Sequence, residues 1–116
     1  MNASEILKQI EKDIERNTET VEFGKALERL SSNRDFKRVV LDGYFTAEAK
    51  RLVHLLSNQN MQTADKQAAI HNQMVGIGQL SQYFNNITLM ASQASKAIAA
   101  EEEMRDELIA EDVANG

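Results

Sequence analysis

The hydrophobic pattern is most regular between Thr63 and about Ala110, where apolar residues return every three or four positions. The members of this stripe are Ile70, Met74, Ile77, Leu80, Phe84, Ile87, Ala91, Ala94 and Ile98. Such spacing predicts one amphipathic α-helix with a narrow apolar face. A helix of that length would extend roughly 70 Å, so other helices must cover the face.

A second apolar segment, over about residues 34–57, precedes the long helix. Its apolar positions occupy more than half of a helix circumference, which predicts the most buried helix of the chain. Asp42 and Gly43 could interrupt this helix, but we expect it to continue through them. The short polar connection before Thr63 then predicts a long antiparallel hairpin of residues 34–57 and 63–110.

The N-terminal third predicts one or two further helices packed alongside the hairpin. Ser4 is expected to cap the first helix, and the apolar positions that follow have helical spacing. Residues 17–20, with the sequence NTET, predict a kink or short break, because Asn and Thr compete for backbone hydrogen bonds. The expected fold is all-α, with one elongated domain over residues 1–112 and a frayed end at residues 113–116.

The two hairpin arms differ in length, so the shorter arm covers the long helix only as far as about Ile87. The apolar strip formed by Ile87, Ala91, Ala94 and Ile98 needs another cover. The N-terminal helices could supply it in cis, or a second copy could supply it in trans. We expect homo-oligomerisation through this strip, because an exposed apolar strip favours association.

Charge is distributed unevenly along the 116 residues, whose formal net charge is −5. Residues 1–60 are balanced, whereas acidic residues concentrate after Ala100, beginning with Glu101, Glu102 and Glu103. We expect this end to contact a basic protein partner and to repel nucleic acid. The N-terminus lacks the apolar core of a signal peptide, and no apolar run is long enough for a membrane span, so no membrane association is expected.

Candidate chemistry is sparse. The chain has no Cys, which excludes disulfides and thiolate catalysis, and His54 and His71 lack a third metal ligand. Gly76 and Gly78 have no phosphate-loop context and instead predict places where another helix approaches closely. We therefore expect no catalytic residue, no metal and no cofactor, and we expect that the protein is not an enzyme.

Three segments resemble small helical proteins encoded among the structural genes of tailed bacteriophages. They are LDGYFTAEAKRLVHLLSNQNMQT, GIGQLSQYFNNI and EEEMRDELIAEDVANG, and the resemblance extends across about residues 33–112. The resemblance implies a capsid-, portal- or connector-associated protein, or a scaffold-like one. It defines no motif, so it assigns no functional residue.

The expected function is that of a non-enzymatic structural or assembly protein of a tailed-phage virion, working through self-association and protein–protein contacts. The alternative is a small acidic phage-encoded regulator that binds and inhibits a host protein, as a mimic of nucleic acid. The first role places the chain in the virion and the second in the host cytoplasm.

Overall fold

The computed structural model describes residues 2–115, and every regular element within them is helical. The elements are α1 (Ala3–Ser31), α2 (Arg34–Phe36), a π-helix (Lys37–Glu48), α3 (Ala49–Leu56), a short 3₁₀ turn (Gln59–Met61) and α4 (Ala64–Asn115). The all-α prediction and the helical hairpin are confirmed. The long arm extends to Asn115, five residues beyond its predicted end near Ala110.

Internal contacts divide the chain into two compact units. Unit 1 combines residues 1–26 with residues 87–116, and unit 2 is Leu27–Asn86. The prediction of one domain over residues 1–112 stays a prediction. So does the fraying of residues 113–116, of which Gly116 lies outside the described residues.

The core of unit 2 lies between α3, the π-helix and the first half of α4. Leu52, Ile70 and Ile77 are its buried members. The partly buried side chains packed against them are Tyr44, Phe45, Ala49, Leu55, Leu56, Met61 and Met74. Apolar residues at helical spacing on facing arms therefore bury one another, as the hairpin prediction requires.

The helix starts follow side-chain caps. Asn33 Oδ1 accepts a hydrogen bond from the Phe36 backbone N–H at 2.9 Å, which confirms the start predicted for the second segment. Thr63 immediately precedes α4, as predicted, and its side-chain Oγ1 accepts the Lys66 backbone N–H at 3.4 Å. The predicted Ser4 cap is wrong, because Asn2 Oδ1 takes that role, accepting from the Glu5 N–H at 2.9 Å.

Helix α1 runs without interruption from Ala3 to Ser31, so the break predicted at residues 17–20 is wrong. The Thr18 hydroxyl donates to the Ile14 carbonyl at 2.7 Å, and the Thr20 hydroxyl donates to the Arg16 carbonyl at 3.3 Å. These threonines satisfy their polar groups against the helix itself, four residues back, and do not compete with it.

The helical backbone continues through Asp42 and Gly43, as predicted, but over Lys37–Glu48 it is a π-helix. The Thr46 hydroxyl donates to the Leu41 carbonyl, five residues earlier, at 3.1 Å. The expectation that this arm is the most buried helix is wrong. Its outer side leaves Val39 67% and Val53 53% exposed, whereas α4 contributes four of the buried core residues.

Candidate functional site

In unit 1, α1 packs directly on the apolar strip of α4. A Cβ placed on the buried Gly24 would overlap the Ala91 side chain and lie 3.9 Å from the Ala91 Cα and 4.0 Å from the Ile87 carbonyl oxygen. Further along, Asn17 and Thr20 lie beside the later residues of the strip, so the two helices run antiparallel. The absence of a side chain at residue 24 is what permits this close approach.

The strip predicted as an oligomer contact is thus covered within the chain. Ile87 is 9% exposed and Ala94 is 4% exposed, while Ala91 and Ile98 are half-buried. Of the two covers left open by the sequence, the structure shows the one in cis. A role of this strip in self-association stays a prediction, but Ile87 and Ala94 have little surface left to offer a second copy.

The acidic side chains predicted to meet a partner lie further along α4. Glu102 and Glu103 are exposed, and Glu101 is half-buried. Unit 1 as a whole holds 13 acidic and 6 basic residues, a net charge of −7. The exposed acidic residues of helix α1 are Glu5, Glu11, Glu15, Glu19 and Glu22. Basic residues offset most of the acidic residues within 1–26, where six acidic stand against four basic, whereas residues 87–116 hold seven acidic and two basic. Most of the net negative charge of unit 1 therefore lies at the end of the chain where the sequence predicted it.

A groove in unit 1 between α1 and α4 contains a hollow of about 240 Å³. Its lining residues, which define the uncharged groove, are Asn17, Thr20, Met90, Gln93, Ala94 and Ala97. None of these six is ionisable, although the unit around them is densely charged. Met90 stands at the groove with 57% of its surface exposed. This surface was missed from the sequence, because it needs the pairing of two distant segments.

The groove borders a longer feature that the sequence did contain. Residues 67–95 of α4 include none of the 13 basic or 18 acidic residues of the chain. Many of their side chains are nevertheless exposed, among them Val75 at 43%, Tyr83 at 52% and Leu89 at 55%. Since charged side chains are depleted at the centres of protein interfaces, this charge-free run was the available signal for an interaction surface.

Unit 2 has a compact aromatic cluster around Phe84. The Phe84 ring centroid lies 5.8 Å from that of Phe45 and 6.1 Å from that of Phe36, and Tyr83 is its neighbour at 6.0 Å. A Cβ on Gly76 would lie 3.7 Å from the Tyr44 hydroxyl oxygen, an ordinary contact with the tip of one side chain, so the close approach of another helix predicted at Gly76 is not found. The same prediction for Gly78 is wrong, because no side chain or neighbouring helix within residues 2–115 comes within 4 Å of a Cβ there.

Side-chain amides stabilise the hairpin turn of unit 2. Gln67 donates from Nε2 to the Met61 carbonyl at 2.7 Å and to the Leu56 carbonyl at 3.2 Å. Gln62 reaches the Asn58 carbonyl at 2.7 Å, and Lys66 Nζ reaches the Asn60 carbonyl at 2.9 Å. The Leu56 carbonyl at the end of α3 and carbonyls of the turn thereby accept side-chain hydrogen bonds, and the Asn58 carbonyl also accepts the Met61 backbone N–H at 3.0 Å.

The titratable groups described for unit 2 do not form a metal-binding cluster. His54 and His71 are both exposed, and across residues 2–115 no three potential metal-ligating side chains form a group. The hydrogen bond from Arg51 holds the pKa of Glu48 below its ordinary value, with Arg51 Nε 3.0 Å from Glu48 Oε2. This exposed pair is a surface ion pair within one helical turn.

Comparisons of the chain with protein-family models, with curated proteins and with solved structures find no match. Within the described residues, no helix is both long and apolar enough to cross a membrane.

Proposed function

We propose that the chain is a non-enzymatic helical assembly protein that acts by self-association and protein–protein contacts. The observation that carries this proposal is the number of large hydrophobic side chains left in solvent. Within residues 2–115 these side chains are 43–75% exposed: Phe23, Leu30, Val39, Val53, Val75, Tyr83, Leu89, Met90, Met104, Ile109 and Val113. Apolar side chains grouped on a protein surface mark interaction sites when they form continuous patches.

The charge-free run over residues 67–95 supports the same proposal. A helix face that remained in water would usually carry charged side chains, and this chain has them in quantity elsewhere. Their absence from about eight turns of one helix favours a surface made for contact with another protein. Asn, Gln, Ser and Thr in this run can form hydrogen bonds across an interface without the desolvation cost of burying a charge.

The proposed setting is the virion of a tailed bacteriophage, or its assembly, as a capsid-, portal- or connector-associated or scaffold-like component. The resemblance of residues 33–112 to small helical phage structural proteins supports this setting. The stiff, hydrogen-bonded turn at residues 57–63 suits a helical pair that presents surfaces at fixed positions.

The setting is tested by quantitative mass spectrometry of virions purified from cells in which the chain is expressed. The chain should be present at a fixed ratio to the major capsid protein after repeated purification. A chain found only in the lysate would contradict a role as a virion component. It would favour either a scaffold that leaves during assembly or the alternative that follows.

The alternative function is an acidic regulator that binds and inhibits a host protein by imitating nucleic acid. One observation supports such mimicry: acidic residues are present on both helices of unit 1. Binding to a basic host protein would then weaken steeply as salt is raised, because opposite charges are screened. A partner captured equally well at low and high salt would argue against mimicry.

A further inference from the structure

The π-helix Lys37–Glu48 is unusual in its length. Most π-helical segments in proteins are single turns inserted in α-helices, and they occur frequently at functional sites. This one has 12 residues and lies between α2 and α3, which are both α-helical. The segment is therefore in a π register, with backbone hydrogen bonds reaching five residues back, although its neighbours on both sides are in the α register, with bonds reaching four residues back.

Two aromatic side chains of the shorter arm contact one ring of α4. The Phe84 ring centroid lies 6.1 Å from that of Phe36 and 5.8 Å from that of Phe45. Phe36 and Phe45 are nine residues apart, which is about two and a half turns of an α-helix. An α-helical arm would therefore place the two rings on opposite faces, where only one of them could contact Phe84.

The π register brings both rings to the same face. Its longer hydrogen-bonded loops hold more residues in each turn than those of an α-helix, so that nine residues make about two turns. The burial of the arm has the same spacing, since Phe36, Val40 and Phe45 are partly buried whereas Arg38 is exposed. Contact of both phenylalanines with one ring of α4 thus depends on the π register.

Two more residues fit the π register. The Thr46 hydroxyl donates to the Leu41 carbonyl, five residues back, at 3.1 Å, whereas the hydroxyls of the two threonines of α1 donate four residues back. A Cβ placed on Gly43 would lie 3.2 Å from the carbonyl oxygen of Arg38, which is also five residues back. The missing side chain at residue 43 therefore relieves crowding within the wider turn.

The α register would change which side chain faces α4. Phe45 would stay on that face, because it lies four residues, about one α-helical turn, before Ala49 of α3. Arg38 lies seven residues before Phe45, about two turns, so it would take the place of Phe36. Residues 67–95 of α4 contain no charged side chain to pair with an arginine there. The cost of desolvating Arg38 thus opposes the α register.

We infer that Lys37–Glu48 is a conformational switch between the π and α registers, and that Phe84 of α4 sets its position. While Phe36 and Phe45 both pack on Phe84, the segment is held in the π register. Release of that contact lets the segment adopt the commoner α register, which turns Phe36 away from α4 and Arg38 toward it. The switch lies within unit 2 and does not depend on the self-association proposed above.

The experiment compares Phe84→Leu with Tyr83→Leu by nuclear magnetic resonance of the isotope-labelled full chain. Each variant removes one aromatic ring from adjacent positions of α4, but Phe36 and Phe45 both pack on Phe84. Scalar couplings across backbone hydrogen bonds identify the carbonyl that each amide contacts. Phe84→Leu should lose the five-residue bonds across Lys37–Glu48 and gain four-residue bonds, with helix content retained in circular dichroism. Tyr83→Leu should keep the wild-type pattern.

Three results would overturn the switch. A wild type whose amides in this segment bond four residues back would remove the π register itself. If Phe84→Leu kept the five-residue bonds, Phe84 would not set the register. If both variants lost them, the register would not depend on Phe84 in particular.

A second pair of variants decides the question if Phe84→Leu unfolds. Gly43→Ala adds a Cβ against a backbone carbonyl of the π register, whereas Gly78→Ala, its control, meets no neighbouring side chain or second helix within 4 Å in the described part of the chain. Gly43→Ala should lose the nuclear Overhauser contact between the rings of Phe36 and Phe84 and keep that between Phe45 and Phe84. Gly78→Ala should keep both. Retention of both contacts in Gly43→Ala would overturn the switch.

Discussion

Replacing Gly24 with Ala tests the helix contact that organises unit 1. The substitution adds a single methyl group to a buried position in the middle of α1. That methyl would overlap the Ala91 side chain, which has no rotamer through which it could move away. The helices must separate or shift locally to accommodate it.

Two opposing effects determine how much Gly24→Ala changes the free energy of unfolding. Ala in a helix interior is about 1 kcal/mol more favourable than Gly, which on its own would stabilise the chain. Overpacking a close contact typically costs about 1 to 3 kcal/mol. We expect the steric cost to prevail and Gly24→Ala to lower the free energy of unfolding by about 1 kcal/mol.

Gly78→Ala is the matched control, because Gly78 also lies inside a helix but a Cβ added to it would meet no neighbouring side chain or second helix within 4 Å in the described part of the chain. It should raise the free energy of unfolding by about 1 kcal/mol through helix propensity alone. Urea titrations followed by circular dichroism at the helix band would measure both. If Gly24→Ala stabilised the protein as much as Gly78→Ala, the close packing of α1 on α4 would be refuted.

The remaining predictions concern unit 2. Leu52→Ala, at a side chain with 0% exposure, should cost about 2 to 5 kcal/mol in urea unfolding, whereas Val53→Ala, at a 53% exposed neighbour, should stay within about 0.5 kcal/mol. Equal losses of stability in the two variants would contradict the placement of Leu52 in the core. The pKa of Glu48 is lowered by its hydrogen bond with Arg51, so the pair contributes stability above the unfolded-state glutamate pKa and loses it as pH falls through the lower folded pKa. The stability difference between wild type and Glu48→Gln should therefore be present at pH 7 and diminish as pH falls through the lowered pKa of Glu48; a difference that grew on acidification would contradict this.

Much of unit 2 could be predicted because its signals are local. The apolar spacing around Ile70 and Ile77, the start of the shorter arm near residue 34 and the start of α4 after Thr63 each depend on residues a few positions apart. The π-helix over Lys37–Glu48 was not predicted. Apolar periodicity within one segment predicts a helix but does not distinguish i→i+5 from i→i+4 backbone hydrogen bonding.

The candidate surface of unit 1 was harder to predict, because its evidence is divided between the two ends of the chain. Gly24 alone is a residue of low helix propensity, and Ala91 alone belongs to a narrow apolar face. Together they form a close approach of α1 and α4. The uncharged groove follows from that pairing, so the sequence could indicate the charge-free run of α4 but not the partner helix that completes the groove.

The most direct test of the proposed function is sedimentation velocity of the unmodified chain from about 1 to 100 micromolar, the range in which moderate affinities become visible. A self-associating assembly protein should show a sedimentation coefficient that rises with concentration toward the value of a dimer. A single species with the mass of one 13.0 kDa chain at every concentration would contradict the account.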